Sequence, residues 1–393
     1  CGMSFGPWSL AAAVLLLCVP FNPPSFSAAL GLPLSPSRKI VRVLTYNIHA
    51  WRDSDHRDNF DRVAEVILAC RPDVVCLNEV LHPFRSPGGR EGAAYYEAVR
   101  NGKGRTTIPP PDAMPKHEAG SNLARLSSVS GLRNYAFGIA AKERSYFGEG
   151  IPFGNAILSR HPLEVKGHME LEVEPGDVEL GNQSRDFVDP RSAIFASVGI
   201  EFGDEGEEHQ MDLGVVSTHL DHKSEELREK QVLKVIRDAP SLFSPSQPHI
   251  FCGDLNTFQR SDVDDDGWDR ILNLYESRGW GRPSDKSLVL SALETEGYED
   301  AFYRADANRP GTVRVMSDAI GLEPDGTGGR RHFPDPTCWT RDPLMRIDHV
   351  WTSPVRPEDA FWLVPQQYSR VLVTGSDHFP IMVDFELVPC KED

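Results

Sequence analysis

Positive charge is scarce in this sequence: 41 Lys and Arg stand against 58 Asp and Glu, a formal net charge of -17 and a pI of about 5.2. That deficit argues against a surface that grips nucleic acid through broad counterion release. No Lys/Arg-rich tract with aromatic residues offsets it. A local basic strip beside an acidic cleft remains compatible with the balance. Such a cleft is also what a magnesium or calcium site looks like in sequence. Paired cysteine is missing as well. The seven cysteines contain no CxxC, and removing a leader with Cys1 and Cys18 leaves Cys70, Cys76, Cys252, Cys338 and Cys390, an odd number that fits a disulfide framework poorly. Cys76 and Cys252 fall in apolar runs and read as reduced core thiols.

Long apolar runs are also absent beyond one short stretch, Trp8 to Pro20, too short for a comfortable membrane span. Pro- and Ser-rich sequence and the triplet Ser27-Ala28-Ala29 follow it, which resembles a signal-peptide core with cleavage after Ala29. This predicts a secretory route, with an organellar transit segment or an uncleaved anchor as alternatives, since no Lys or Arg precedes the run.

The 393 residues are 40% hydrophobic and 25% charged, ordinary for a globular protein large enough to bury a core without staples. The sequence divides into a leader at 1–29, a Pro/Ser linker at 30–39 and one folded domain at 40–388. Two segments without periodicity, near 102–130 and 308–336, read as loop insertions. Ile40 to Ile48 reads as a strand, Arg57 to Cys70 as a helix with apolar residues at helical spacing, and Val74 to Leu77 as a buried strand. Further strands are expected at Ala156–Leu158, Ala193–Ile200, Met211–Thr218, His249–Cys252, Ile347–Thr352, Val371–Thr374 and Ile381–Leu387. Helices are expected at Ser224–Arg237, Trp268–Arg278 and Leu288–Glu296. Helices and strands alternate, yet many strands follow one another directly. That mixture predicts a two-sheet α/β sandwich rather than a doubly wound parallel sheet.

Polar residues recur where apolar strands end: Asn47, Glu79, His219, Asp254 with Asn256, Asp348 with His349, and Asp377 with His378 just before the last strand. Any one of them could be a turn initiator. Six such places carrying only Asn, Asp, Glu and His suggest a site built at sheet edges. Glu79, Asp254, Asn256, Asn47 and Asp377 supply the hard oxygens a divalent cation takes. A His beside an Asp can act as base, acid or phosphate donor. Phosphoryl transfer needs such parts, and the absence of thiolates disfavours zinc or iron–sulfur.

Taken in order, Leu44-Thr45-Tyr46-Asn47-Ile48-His49, Asn78-Glu79, Gly154-Asn155-Ala156-Ile157-Leu158-Ser159-Arg160, Ser217-Thr218-His219-Leu220, Cys252-Gly253-Asp254-Leu255-Asn256, Arg346-Ile347-Asp348-His349-Val350 and Ser376-Asp377-His378-Phe379-Pro380 resemble the endonuclease/exonuclease/phosphatase superfamily. The resemblance runs over roughly residues 40 to 388. It implies a four-layer α/β/β/α sandwich like that of deoxyribonuclease I, and a phosphoesterase dependent on Mg²⁺, or on Mn²⁺ or Ca²⁺. By the same resemblance Glu79 is the main metal ligand, Asn47 supports metal or phosphate, and Asp377 is a further metal-side carboxylate. Asp254 orients or deprotonates the attacking water with Asn256 beside it on the phosphate. His378 pairs with Asp348 and contacts a phosphoryl oxygen, and His219 stabilises the transition state or leaving oxygen. Asn78 stands where the family usually has Gln, and His49 where some members carry an acidic residue, which puts a second metal there in doubt. The sequence after Asn256 departs from the inositol-polyphosphate 5-phosphatase pattern.

Other residues are open between two readings. Asn155 either reaches substrate phosphate or caps a strand. Arg191 either contacts phosphate or, the favoured reading, makes a surface ion pair. His161 and His222 read as solvated loop residues and Trp339 as rim packing. Asp262 to Gly267 imitates an EF-hand opening, but Asn273 occupies position twelve, so the run reads as a helix N-cap with an acidic first turn. The substrate is a phosphate ester, whether a small phosphoester, a phospholipid or a nucleic acid. A monomer without an obligate protein partner is expected. The competing class is a catalytically silent binding module on the same scaffold, which would be expected to have lost one of Glu79, Asp254, Asn256 or His378.

Overall fold

The computed structural model describes residues 39–101, 110–141, 144–145, 148–149, 151–172, 190–202, 209–305, 311–316, 321–324, 333–359 and 361–389. The leader, all of the linker but Lys39, and Cys390 lie outside them. The strands, in chain order, are β1 (Lys39–Asn47), β2 (Val74–Leu81), β3 (Asn134–Ala141), β4 (Arg144–Ser145), β5 (Gly148–Glu149), β6 (Phe153–Ser159), β7 (Leu163–Leu171), β8 (Arg191–Phe202), β9 (His209–His219), β10 (His249–Asp254), β11 (Glu299–Asp300), β12 (Gly311–Met316), β13 (Gly321–Pro324), β14 (Asp348–Thr352), β15 (Phe361–Leu372) and β16 (Ile381–Pro389). The helices are α1 (Phe60–Cys70), α2 (Gly89–Asn101), α3 (Asn122–Ser130), α4 (Glu225–Leu242), α5 (Asp265–Arg278), α6 (Leu288–Thr295) and α7 (Ala301–Arg304).

An eight-stranded sheet runs β13-β12-β15-β16-β1-β2-β6-β3, and a six-stranded sheet runs β11-β14-β10-β9-β8-β7. Their inner faces share one core, in which Val43, Cys76 and Ile157 meet Ile194, Val215 and Val350. On the outer face of the larger sheet, Phe60, Val63 and Ile67 of α1 and Leu123 and Leu126 of α3 pack over Leu44, Leu77 and Leu158. On the other side, Val232 and Val235 of α4 and Leu290 and Leu293 of α6 cover Phe195, Val216 and Phe251. This is the expected four-layer α/β/β/α sandwich. The free thiols Cys70, Cys76, Cys252 and Cys338 are all buried.

Helix ends follow their sequence signals. Arg71 closes α1 in the left-handed region, Ser224 caps α4 through the Leu227 N–H, and Asp264 caps α5 through the Gly267 N–H. The acidic run at 262–267 is thus the helix start the sequence suggested. Three expectations are corrected. The segment near 102–130 ends in a helix, α3, with Ser121 accepting from Ala124 N–H and Gly131 in the left-handed region. Its buried stripe is only Leu123 and Leu126 in a Ser-rich setting, too short to register as a period. The segment near 308–336 contributes β12, paired parallel to β15, and β13, paired antiparallel to β12. Strands that short gain their order from the sheet they extend. The strand expected at 371–374 is longer and earlier than its β-branched run, starting at Phe361.

Candidate active site

The site lies where strands of both sheets end together. Asn47 is the last residue of β1 and aligns with Asn78 of β2. His219, Asp254 and Asp348 stand side by side on β9, β10 and β14. Sheet pairing therefore sets the spacing of the polar groups before any side chain turns.

Backbone conformation aims two of them. Pairing of β2 with β6 shifts register between Leu77 and Val80, and Glu79 within that bulge has φ 57. A bulge re-directs a side chain off the sheet's alternation, here to the cleft that Glu79 lines. Asn256 has φ 50 and His49 φ 50. Left-handed conformations at non-glycine residues cost of order 1–3 kcal/mol each and persist where the surroundings enforce them. Gly253 is required for a different reason. Its φ is 140, and an added Cβ would meet the Thr218 carbonyl oxygen at 1.9 Å and Asn78 Oδ1 at 3.2 Å.

That close approach lets Asn78 tie the two sheets together. Its Oδ1 accepts from Asp254 N–H at 3.0 Å, and its Nδ2 donates to Thr218 O at 3.0 Å and Asn155 Oδ1 at 2.9 Å. Asn155 then donates to Ser192 O at 2.8 Å. Its side-chain amide thus links β6 to β2 and β8. Asn47 Nδ2 donates to Asp254 Oδ2 at 3.0 Å, while its Oδ1 accepts from His49 N–H at 3.0 Å. Asn47 thus bridges Asp254 and the His49 backbone in this arrangement.

His378 sits between two carboxylates. Its Nδ1 is 2.8 Å from Asp348 Oδ2 and its Nε2 is 3.6 Å from Asp254 Oδ2. Burial opposes a charged ring, but Asp348 and Asp254 hold its pKa well above the usual histidine value. Asp348 is itself placed by Thr337, whose Oγ1 accepts from the N–H groups of Ile347 and Asp348. Burial lifts Asp254 to about 6, with Asp348 adding to the rise and His378 opposing it. His219 is the opposite case. Burial and then the neighbouring Arg191 push it well below the usual value, so the ring is neutral. Arg191 Nη1 lies 3.1 Å from His219 Nδ1, and a guanidinium only donates. The other nitrogen of His219, Nε2, lies 3.5 Å from Asp254 Oδ2. Nδ2 of Asn256 is 2.9 Å from the same Nε2.

Arg191 is buried, and its Nη2 reaches His222 Nδ1 at 3.2 Å. Among the described residues it makes no ion pair with a carboxylate, so the surface ion pair expected for it is not found there. A β-strand start at the cleft wall buried this guanidinium between two histidines. His222, read as a solvated loop residue, has an exposed face but is tied to Arg191 and lines the cleft. His161 is half-buried near Asp73. Trp339 lines the cleft and packs on the Val263, Trp268 and Ile271 cluster. His49 was noted only as a departure. It lies 3.8 Å from Asp377 Oδ1 through its Nδ1 and also lines the cleft.

Two acids, Glu79 and Asp377, stand together in the cleft wall. Glu79 is raised to about 8, by burial first and the Asp377 carboxylate second, and its Oε2 has no hydrogen-bond partner. For Asp377 burial works upward, but His49 and His378 hold its pKa below the ordinary value. Two neighbouring carboxyls in a buried wall, one with an unpartnered oxygen, fit a hard divalent ion. Asp254, Asp348 and His378 also offer ligand atoms within 4.8 Å of one another. Both nitrogens of His378 already face carboxylates there, so a ring proton offsets one of the trio's two negative charges, and Glu79, with its unpartnered Oε2, is the better place for a metal.

The cleft holding these groups has a volume of about 1140 Å³. A family model described as the Endonuclease/Exonuclease/phosphatase family matches residues 44–378. Among solved structures, an endonuclease/exonuclease/phosphatase from Beutenbergia cavernae DSM 12333 is 23% identical, with a match covering 89% of this chain and 72% of that one at a TM-score of 0.53. A mannosyl-6-phosphatase from Bacteroides thetaiotaomicron VPI-5482 is 14% identical over 88% and 99% at a TM-score of 0.47. The human Nocturnin catalytic domain with bound sulfate anion is 16% identical over 91% and 100% at a TM-score of 0.45. No curated protein matches the chain.

Proposed function

The chain belongs to the endonuclease/exonuclease/phosphatase family, and from that premise we propose that it is a divalent-metal-dependent hydrolase of phosphate esters acting by in-line attack of water. The observation that carries this reading is the line of His378 between Asp348, at hydrogen-bond distance, and Asp254, at ion-pair distance, beside Glu79, whose Oε2 has no hydrogen-bond partner. Glu79, with Asp377, would hold Mg²⁺, or Mn²⁺ or Ca²⁺ in its place. When bound, that ion supplies charge neutralisation at a phosphoryl oxygen.

The remaining chemistry belongs to side chains. Asp254, at about 6, is suited to take a proton from water near neutral pH. Asn47 and the Asn256 backbone N–H, 2.9 Å from Asp254 Oδ1, fix its carboxylate. The His378 imidazolium presents Nε2–H to charge that grows on the phosphoryl oxygens, while Asp348 secures its Nδ1–H. Arg191, with the neutral His219, offers a second positive group on the same wall. All four residues whose loss would mark a silent module, Glu79, Asp254, Asn256 and His378, are present, which supports the enzymatic reading.

The test is turnover of bis-p-nitrophenyl phosphate, p-nitrophenyl phosphate, plasmid DNA, RNA, sphingomyelin and inositol phosphates, with Mg²⁺ or EDTA. At least one substrate is expected to turn over, with at least a hundredfold loss in EDTA and in Asp254→Asn or Glu79→Gln. Rates indifferent to all three changes would overturn the proposal.

A further inference from the structure

The cleft does not end at the acids. It continues along the end of α5 to Trp280, Arg282 and Lys286, on the loop between α5 and α6. None of these residues is needed for the chemistry above. Gly279 ends α5 with φ 66, and Trp280 N–H donates back to Tyr275 O at 2.9 Å. That turn fastens the indole to the helix. Tyr275 packs against it edge-on, ring centroids 5.2 Å apart and planes at 81°, and the Arg278 guanidinium lies 6.0 Å from its ring centre. The ring is held, yet 47% of Trp280 is exposed. Arg282 and Lys286 are exposed, and neither makes an ion pair with a carboxylate among the described residues. Of the acids that line this arm, Glu225 is already engaged by Arg228 at 2.7 Å, Ser287 Oγ at 2.9 Å and Leu288 N–H at 2.8 Å, while Glu226 also lines the cleft.

Resting on the phosphoesterase reading, we infer that this arm binds the part of the substrate beyond the scissile phosphate. A flat ring lies on Trp280, and a second anionic group lies between Arg282 and Lys286. The substrate class with both features is a short nucleotide carrying more than one phosphate. An aromatic face takes any base, and two unpaired cations take a phosphate. The net charge of -17 repels a long polyanion, so the arm suits a mononucleotide or dinucleotide rather than a duplex.

Binding of adenosine 3′,5′-bisphosphate and of ribose 5-phosphate, measured by titration calorimetry in EDTA, tests this without turnover. Wild type is expected to bind the bisphosphate at least about tenfold more tightly. Trp280→Ala should remove most of that preference, Trp280→Phe should restore it, and the Arg282→Ala/Lys286→Ala pair should weaken the bisphosphate about tenfold. No preference in wild type, no binding of either probe, or a preference kept in Trp280→Ala overturns the arm. An inositol bisphosphate that binds as tightly as the nucleotide does the same. If the preference holds but no ester is hydrolysed, the phosphoesterase reading fails and the arm stands. If simple esters are hydrolysed without any preference, the reverse holds.

Discussion

His378 Nδ1 lies 2.8 Å from Asp348 Oδ2 in a buried setting at the cleft wall, and this contact keeps the ring charged. Replacing Asp348 by Asn keeps the shape and removes the charge. The pKa of His378 should then fall, because burial alone lowers it. Asp348→Asn is expected to lose about a hundredfold in kcat, and the alkaline limb of its pH–rate profile should move to lower pH. A loss of rate with an unmoved limb would separate mere misfolding from the charge effect.

Glu79 links metal to stability. Its folded value of about 8 stands above the ordinary 4.5. Between those values the metal-free folded state keeps a proton that the unfolded chain has shed, so Glu79 costs stability as pH rises. Glu79→Gln cannot shed it. Metal-free Glu79→Gln should gain on wild type from pH 5 to 8, by up to about 1.4 kcal/mol per unit. Urea unfolding at several pH values measures this. Mg²⁺ should stabilise wild type and not the variant.

The acid limb of activity should follow Asp254. Its value of about 6 without metal sets an upper bound, since a bound cation lowers it. The kcat/KM of wild type is expected to rise with pH along a limb whose midpoint lies at or below about pH 6. A limb above pH 7 would assign the proton to another group.

Gly253→Ala should unfold more than a surface change can. The added methyl would enter the Thr218 carbonyl at 1.9 Å with φ fixed at 140. A loss of more than about 3 kcal/mol in urea unfolding is expected. A loss below about 1 kcal/mol would mean the two strands separate easily at this point.

Arg191→Lys keeps a charge but not the fork that reaches both His219 and His222. The pKa of His219 should stay low, because burial is its main cause. KM for a phosphate ester should rise about tenfold. The His219 proton signals in NMR would report whether the ring stays neutral.

Much of this was legible in one dimension. The strand-end residues Asn47, His219, Asp254 and Asp348 could be found because apolar runs mark strands and polar residues mark their ends. Their order fixed the family resemblance, and the helix starts at Ser224 and Asp264 carried their own caps. Three things had no local signal. Glu79 faces the cleft because of a bulge, which exists only in the pairing of β2 with β6. Arg191 is buried between histidines because β8 lies beside β9. Asn78 matters because Gly253 lets one sheet touch the other. The sequence alone determined which residue types the site contains and the elements they end. Tertiary structure decided which of them face each other, which are buried and so which are charged, because proton affinity depends on neighbours and desolvation that no stretch of chain possesses by itself.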